Sequence, residues 1–215
     1  MYTILTSSLP RILRTSWFRQ AVAGYGKLLS QYAATNAATD RDFQTKYASF
    51  WQMRWVRGDT DNSAWLQTYF QILEEAKGKP DVDIEAVARQ LYEIPVRRGK
   101  KQLQFSFVTK LRHMRQPTAP IYDANVEAFF MLPRKDQSHP VDERLANLMM
   151  NYEFLVKEYD RVISNDLLRE AVAACRTELP AMQRITDEKA VDFMIWGFVN
   201  VARKGAVRDR TIVYS

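Results

Sequence analysis

The 215-residue chain is poor in the residues on which several common chemistries depend: one cysteine, two histidines, seven glycines and eight prolines. The lone Cys175 cannot close an internal disulfide, and it cannot supply the thiolates of an iron–sulfur cluster or a cysteine-based zinc site. His113 and His139 lie in different segments without the paired spacing of a metal centre, so no metal is expected. No GxSxG elbow is present, and Cys175 sits inside the helical run AVAACRTEL, which argues against nucleophilic acyl chemistry. The segment AVAGYGKLLS has the outline of a phosphate loop, but Ala21 stands where the first glycine is needed and Leu28 where Ser or Thr would hold magnesium. It reads as a helix interior, and no cofactor is expected. No run approaches the roughly 20 apolar residues of a membrane span, and MYTILTSSLPRILRTSWFR lacks a signal-peptide core. A cytoplasmic protein with no membrane partner is the expectation.

What is abundant points to helices. Ala, Leu, Gln, Glu, Lys and Arg dominate, and no linker rich in Gly, Pro or Ser divides the chain, so an all-α fold in one compact unit over residues 1–215 is predicted. Apolar spacing of three and four residues predicts about nine helices. They run over Ser16–Thr35, Asp40–Met53, Ala64–Lys77, Ile84–Glu93, Leu103–Met114, a helix starting at Asp123, a long helix from Val141 to Ile163, Leu167–Leu179 and Asp187–Lys204. RWVRGDTDNS reads as a polar loop, IPVRRGKK as a basic turn, and Arg115 to Pro120 as a joint stiffened by two prolines. Val141, Leu145, Leu148, Met149, Tyr152, Leu155, Val156, Tyr159, Val162 and Ile163 mark a core stripe. TIVYS closes the chain as a tail or short arm. The net charge of +6 favours a polyanionic partner.

Three patterns together carry a resemblance: FSFVTKL followed by a proline-containing joint, then PIYDANV, then Asp192, Trp196 and Gly197 in the last helix. In these the chain resembles the helix-hairpin-helix DNA glycosylase superfamily, and within it a divergent, uncharacterised bacterial branch. The resemblance is specific at PIYDANV and covers the second half of the chain; the first half matches only in helix count. It implies a two-lobed helical bundle with a cleft between the lobes, Asp123 as the catalytic carboxylate, and duplex DNA bearing a damaged or modified base as partner, bound by a monomer. The family's hairpin reads like LPGVG, with glycine amides donating to a phosphate. Here IPVRRGKKQLQ keeps a single Gly99, and Arg97, Arg98, Lys100 and Lys101 would replace amide donation by direct charge neutralisation. Members that form a Schiff base carry a lysine just after the hairpin, near the position of Gln104 or Phe105. Lys110 does not match it, so monofunctional excision is expected. Oxidised guanine is the expected base by analogy, with a hypermodified phage base removed in antiviral defence as an alternative.

Breaking an N-glycosidic bond builds positive charge on the sugar, which a carboxylate can stabilise while orienting water. Asp123 fits that role. Standing before ANVEAFF it is also a good helix N-cap, and the two roles are compatible because a cap is fixed in orientation and kept ionised by the helix dipole. Tyr122, Asn125 and Gln104 flank it as candidate substrate contacts, and Phe193 and Trp196 offer rings for an extruded base, or serve as core. Trp51-Gln52-Met53-Arg54-Trp55-Val56-Arg57 interleaves aromatic and basic residues, with Arg54 and Arg57 as candidate DNA contacts; the plainer reading packs Trp51 and Trp55 inward. Lys110 lies about 20° from Leu103 and about 40° from Met114 on the helical wheel, at the border of the apolar face. Either it pairs with Asp192, also caught in an apolar helix, or it lines the base pocket or holds Asp123 ionised. Two other classes remain open: a non-catalytic member that binds DNA or a protein, and a helical interaction protein whose charge is a solvated surface.

Overall fold

A computed structural model describes residues 2–53, 63–96 and 99–209, with side chains in the last helix described as far as 203. Ten α-helices are present among these residues: α1 Tyr2–Leu13, α2 Ser16–Ala34, α3 Arg41–Phe50, α4 Ser63–Glu75, α5 Ile84–Tyr92, α6 Phe105–Arg115, α7 Ala124–Phe130, α8 Val141–Ser164, α9 Arg169–Glu178 and α10 Asp187–Asp209. Two short 3₁₀ turns, Ala76–Gly78 and Pro180–Arg184, follow α4 and α9. No strand forms among the described residues; one isolated antiparallel bridge joins Val96 and Lys100. The all-α expectation therefore holds, and AVAGYGKLLS is the interior of α2.

Local chemistry sets the helix starts. Asp40 caps α3 by accepting from the Phe43 amide, Asp83 caps α5 through the Ala86 amide, and Asp123 caps α7. Each of these oxygens satisfies an amide that has no partner inside its helix. Between α5 and α6 the chain turns back through the Val96–Lys100 bridge, with Gly99 at φ +70°, a left-handed conformation that a side chain would strain. Arg97 and Arg98, with Arg54, Trp55 and Arg57 and the closing TIVYS, lie outside the described residues.

α1 was not expected. Its Leu5, Leu9 and Ile12 form an i, i+4, i+7 stripe that is fully or nearly buried, even though Pro10 stands inside the helix. Pro10 removes one backbone donor, and burial of the stripe outweighs that loss. The core stripe of α8 holds at Leu145, Tyr152, Leu155, Tyr159 and Val162, whereas Val156 is exposed. It lies one residue, hence about 100°, from Leu155, beyond the packed face.

Buried side chains from all ten helices join one core, and several of its tyrosine hydroxyls are tied in. Tyr47 and Tyr69 share a 2.7 Å hydrogen bond, Tyr69 donates to the Phe107 carbonyl at 3.0 Å, and Tyr32 donates to the Leu73 carbonyl at 2.8 Å. The last helix approaches its neighbours at Gly197, where a Cβ would stand 2.6 Å from Ile12 of α1 and 3.0 Å from Phe18 of α2. That glycine sets how closely α10 meets the N-terminal helices, and α10 carries much of the site.

Candidate functional site

The joint between α6 and α7 is held by side chains from α6, from α8 and from the residue before α10. Thr186 donates to the Pro117 carbonyl, His113 Nδ1 to the Ala119 carbonyl at 2.7 Å, and Tyr152 to the Pro120 carbonyl at 3.1 Å. The Tyr122 amide donates to Thr109 Oγ1 at 3.1 Å. Backbone groups that leave helical pairing are thus satisfied one after another, and the residue after Tyr122 is fixed in place. That residue is Asp123. Its Oδ1 accepts from the Asn125 amide at 2.8 Å and the Val126 amide at 3.0 Å, while no hydrogen bond reaches Oδ2 among the described residues. The side chain is half-buried, with one oxygen engaged as cap and the other open.

Asp123 lines a cleft of about 850 Å³. One wall comes from Trp17, Gln20 and Ala21 of α2 with Phe50, Trp51 and Gln52 at the end of α3. The other comes from Ser106, Phe107 and Lys110 of α6, Asp123 to Val126 at the head of α7, and Lys189, Asp192, Phe193, Trp196, Asn200 and Arg203 of α10. Trp17 and Trp196 meet edge to face at 4.9 Å, and both are half-buried. Arg203, at the exposed rim, donates to Asn125 Oδ1 at 2.9 Å. A second hollow on the other side of α7 shares Ser106, Asp123 and Ala124 with the cleft and carries Arg134, Lys135 and Arg144.

The cleft floor is unusually charged for a helical core. Lys189 and Asp192, one turn apart on α10, pair at 2.6 Å with both side chains nearly inaccessible. Lys189 Nζ also stands 4.5 Å from the Phe193 ring centre, 5.0 Å from Tyr25 and 5.2 Å from Trp51. Lys110 Nζ faces the same Trp51 ring at 5.5 Å and Phe107 at 5.0 Å, and donates to Ser106 Oγ at 3.1 Å. Ring faces carry negative potential and stabilise ammonium groups removed from water. Burial pushes the Lys110 ammonium below the ordinary lysine range, the Asp123 charge opposes that shift, and Lys189 adds to it. Burial likewise raises the Asp192 carboxyl, against the pull of Lys189. Beneath Lys189, Tyr25 donates to His113 Nε2 at 2.7 Å, because Nδ1 carries the proton given to Ala119. Burial chiefly, with Lys189 adding to it, holds His113 neutral at a pKa of about 3.

The structure brings Asp123, Lys110, Asn125, Phe193 and Trp196 to one cleft. Trp51 packs inward as the plainer reading has it, at the border of the cleft. The Lys110–Asp192 ion pair does not form. Asp192 is taken by Lys189, three residues earlier on the same helix and already in reach, and Lys110 turns to Ser106 and the two rings. Gln104 and Tyr122 face the second hollow: Gln104 donates to Gln102, and the Tyr122 hydroxyl donates to Glu127 Oε1 at 2.6 Å. In the hairpin, Lys100 and Gly99 are exposed, and Lys101 is engaged by Glu93 at 2.5 Å. Trp17, Gln20, Lys189, Asn200 and Arg203 were missed by the sequence reading. DEKAVDF looks like a solvated first turn, and nothing in SWFRQ signals a cleft. Among the described residues no cluster of three or more His, Cys, Asp or Glu side chains could hold a metal ion, and no helix is long and apolar enough to cross a membrane.

A scan against protein-family models and searches of curated proteins and of solved structures each returned no match.

Proposed function

We propose that the protein is a monofunctional DNA glycosylase that hydrolyses the bond between deoxyribose and a damaged or modified base turned out of the duplex. The observation that carries this reading is Asp123, half-buried in the wall of a cleft of about 850 Å³, with no hydrogen bond to its Oδ2 among the described residues and aromatic rings opposite. That volume suits a ligand of nucleoside size or larger. Trp17 and Trp196 offer faces and edges to a planar base, and Arg203 at the rim offers charge to a flanking phosphate. In this reading Oδ1 stays bound to the α7 amides throughout, and Oδ2 stabilises the positive sugar and receives the proton of the attacking water. The cap holds the carboxylate immobile, which reduces reorganisation during the reaction.

One observation favours a second reading, a DNA-binding protein without chemistry: the two amide bonds to Oδ1 give Asp123 a complete structural role of its own. Duplexes carrying oxidised guanine, other lesions or glucosylated cytosine, incubated with the protein and then heated in alkali, separate the two. Strand breaks at the altered base with wild type, and a loss of at least about 100-fold with Asp123→Asn, are expected. Asn caps a helix about as well as Asp, so the variant keeps its fold and the loss reports chemistry. Salt-dependent DNA binding with no abasic sites from wild type would establish the non-catalytic reading instead.

A further inference from the structure

Within the proposed glycosylase reading, we infer that Lys110 recognises the extruded base through its carbonyl oxygens and stabilises the negative charge that base carries as it leaves. The cleft thereby selects neutral, acceptor-rich bases and rejects cationic, ring-alkylated ones.

The argument begins with an incomplete set of hydrogen bonds. An ammonium has three N–H donors. Lys110 is buried at 8% exposure, and its one hydrogen-bond acceptor among the described residues is Ser106 Oγ. No carboxylate of the described residues comes within 4.0 Å of it. Trp51 and Phe107 stabilise the charge but leave two N–H groups without an oxygen of the described residues. A buried donor left without an acceptor costs about 1–3 kcal/mol, more when charged, so the site favours a ligand that brings oxygens to it. Lys189 does not compete for them, because Asp192 holds it at 2.6 Å.

Depth in the cleft supplies the second step. Asp123 is half-buried at the head of α7, and Lys110 is buried on α6 below it. The cleft therefore runs from a carboxylate nearer solvent to an ammonium nearer the core. Glycosidic cleavage develops the same polarity: the C1′–N bond breaks with its electron pair leaving on the base, and positive charge collects on the sugar. A water oxygen then bonds to C1′, its proton passing to Asp123 and on to the departed base. A sugar beside Asp123 with its base directed inward sets the base anion, delocalised onto carbonyl oxygens, against Lys110. A base already cationic before cleavage would meet two ammonium groups, Lys110 and Lys189, of which Asp192 neutralises one.

Two guanine nucleosides of nearly equal shape test this without any bond being broken. One is 8-oxoguanosine, neutral with an added carbonyl; the other is 7-methylguanosine, a cation while its N1 proton is retained, so both are titrated at mildly acidic pH. Calorimetric titration of wild type is expected to show the oxidised nucleoside binding on the order of tenfold more tightly. In Lys110→Met, of similar length and uncharged, that ratio falls to about one or inverts. A merely structural lysine would weaken both nucleosides together and leave the ratio in place, which overturns the inference. Should the variant fail to fold, wild type decides: equal affinities, a preference for the cation, or no binding of either nucleoside overturns it. An inactive protein that keeps the preference supports base recognition here and removes the glycosylase reading, so the two failures are distinct. In an active protein, Lys110→Met is expected to slow single-turnover excision of oxidised guanine about 100-fold, and an unchanged rate overturns the leaving-group role.

Discussion

Burial and two hydrogen bonds fix His113 in one tautomer and one charge state. Nδ1–H serves the Ala119 carbonyl and Nε2 accepts from Tyr25, so protonation would set a second N–H against the Tyr25 hydroxyl inside the core. The folded-state pKa is depressed from 6.5 to about 3. Between those values the unfolded chain binds a proton that the folded chain refuses, so stability rises with pH in this window. The contribution of His113 is complete above the unfolded value and lost as pH falls toward the folded one, at about 1.4 kcal/mol per pH unit. Urea midpoints measured from pH 7 down to 4 should fall along this slope for wild type, and less steeply for His113→Gln. Parallel curves would show that another group carries the acid sensitivity. His113 was legible as a non-ligand, since it has no histidine at metal spacing. Its role as a clamp on the Pro117–Tyr122 joint was not, because the carbonyl it serves lies in a loop whose path no periodicity describes. Asp123 was the more readable residue, since an acid before a short apolar helix has a local meaning as a cap. Lys189 has no such local meaning, and its burial depends on where α10 is docked.

Helix contacts turn on small residues as much as on apolar stripes. Gly197 sits inside α10, where alanine would ordinarily be favoured by about 1 kcal/mol on helix propensity. A Cβ there stands 2.6 Å from Ile12 and 3.0 Å from Phe18, two residues with no exposed surface into which to retreat. Overpacking of this kind costs about 1–3 kcal/mol. Gly197→Ala is therefore expected to lower unfolding stability by up to about 2 kcal/mol by denaturant titration, whereas Gly26→Ala, with nothing within 4 Å of its added Cβ, is expected to stabilise or leave unchanged. A stabilised Gly197→Ala would mean that α10 docks less closely than described. The nine helices expected from spacing all form, with no end shifted by more than five residues, because a buried face repeats every three to four positions. α1 escaped since Pro10 and the β-branched Thr3, Ile4 and Thr6 weigh against a helix locally, while the burial that overrides them comes from other helices.

At the scale of the whole molecule, the cleft assembles from four stretches distant in sequence: residues 17–21, 49–52, 106–126 and 189–203. The middle stretch carried a readable pattern and the others supplied walls that only docking brings together, so the acid was visible and its surroundings were not. Charge has the same history. The sum of +6 is a property of composition, yet many cations are engaged at the surface, among them Lys46 with Asp42, Arg89 with Glu85 and Asp142, Arg112 with Asp81, and Arg161 with Glu158. Exposed pairs of this kind contribute little to stability and are weakened by salt, so they do not decide the partner. The competing picture of a solvated basic surface predicts weak DNA binding with no dependence on one face. Contacts from the rim and hairpin to about five phosphates would instead release counterions, and affinity for a short duplex would fall about 500-fold between 50 and 200 mM salt. Arg203→Gln, at the mouth, should then reduce the slope of log affinity against log salt by about one, while Arg161→Gln, held by Glu158 and facing the Tyr2 ring, should leave it unchanged. Equal slopes for all three proteins would mean that the cleft mouth is not where the polyanion lies.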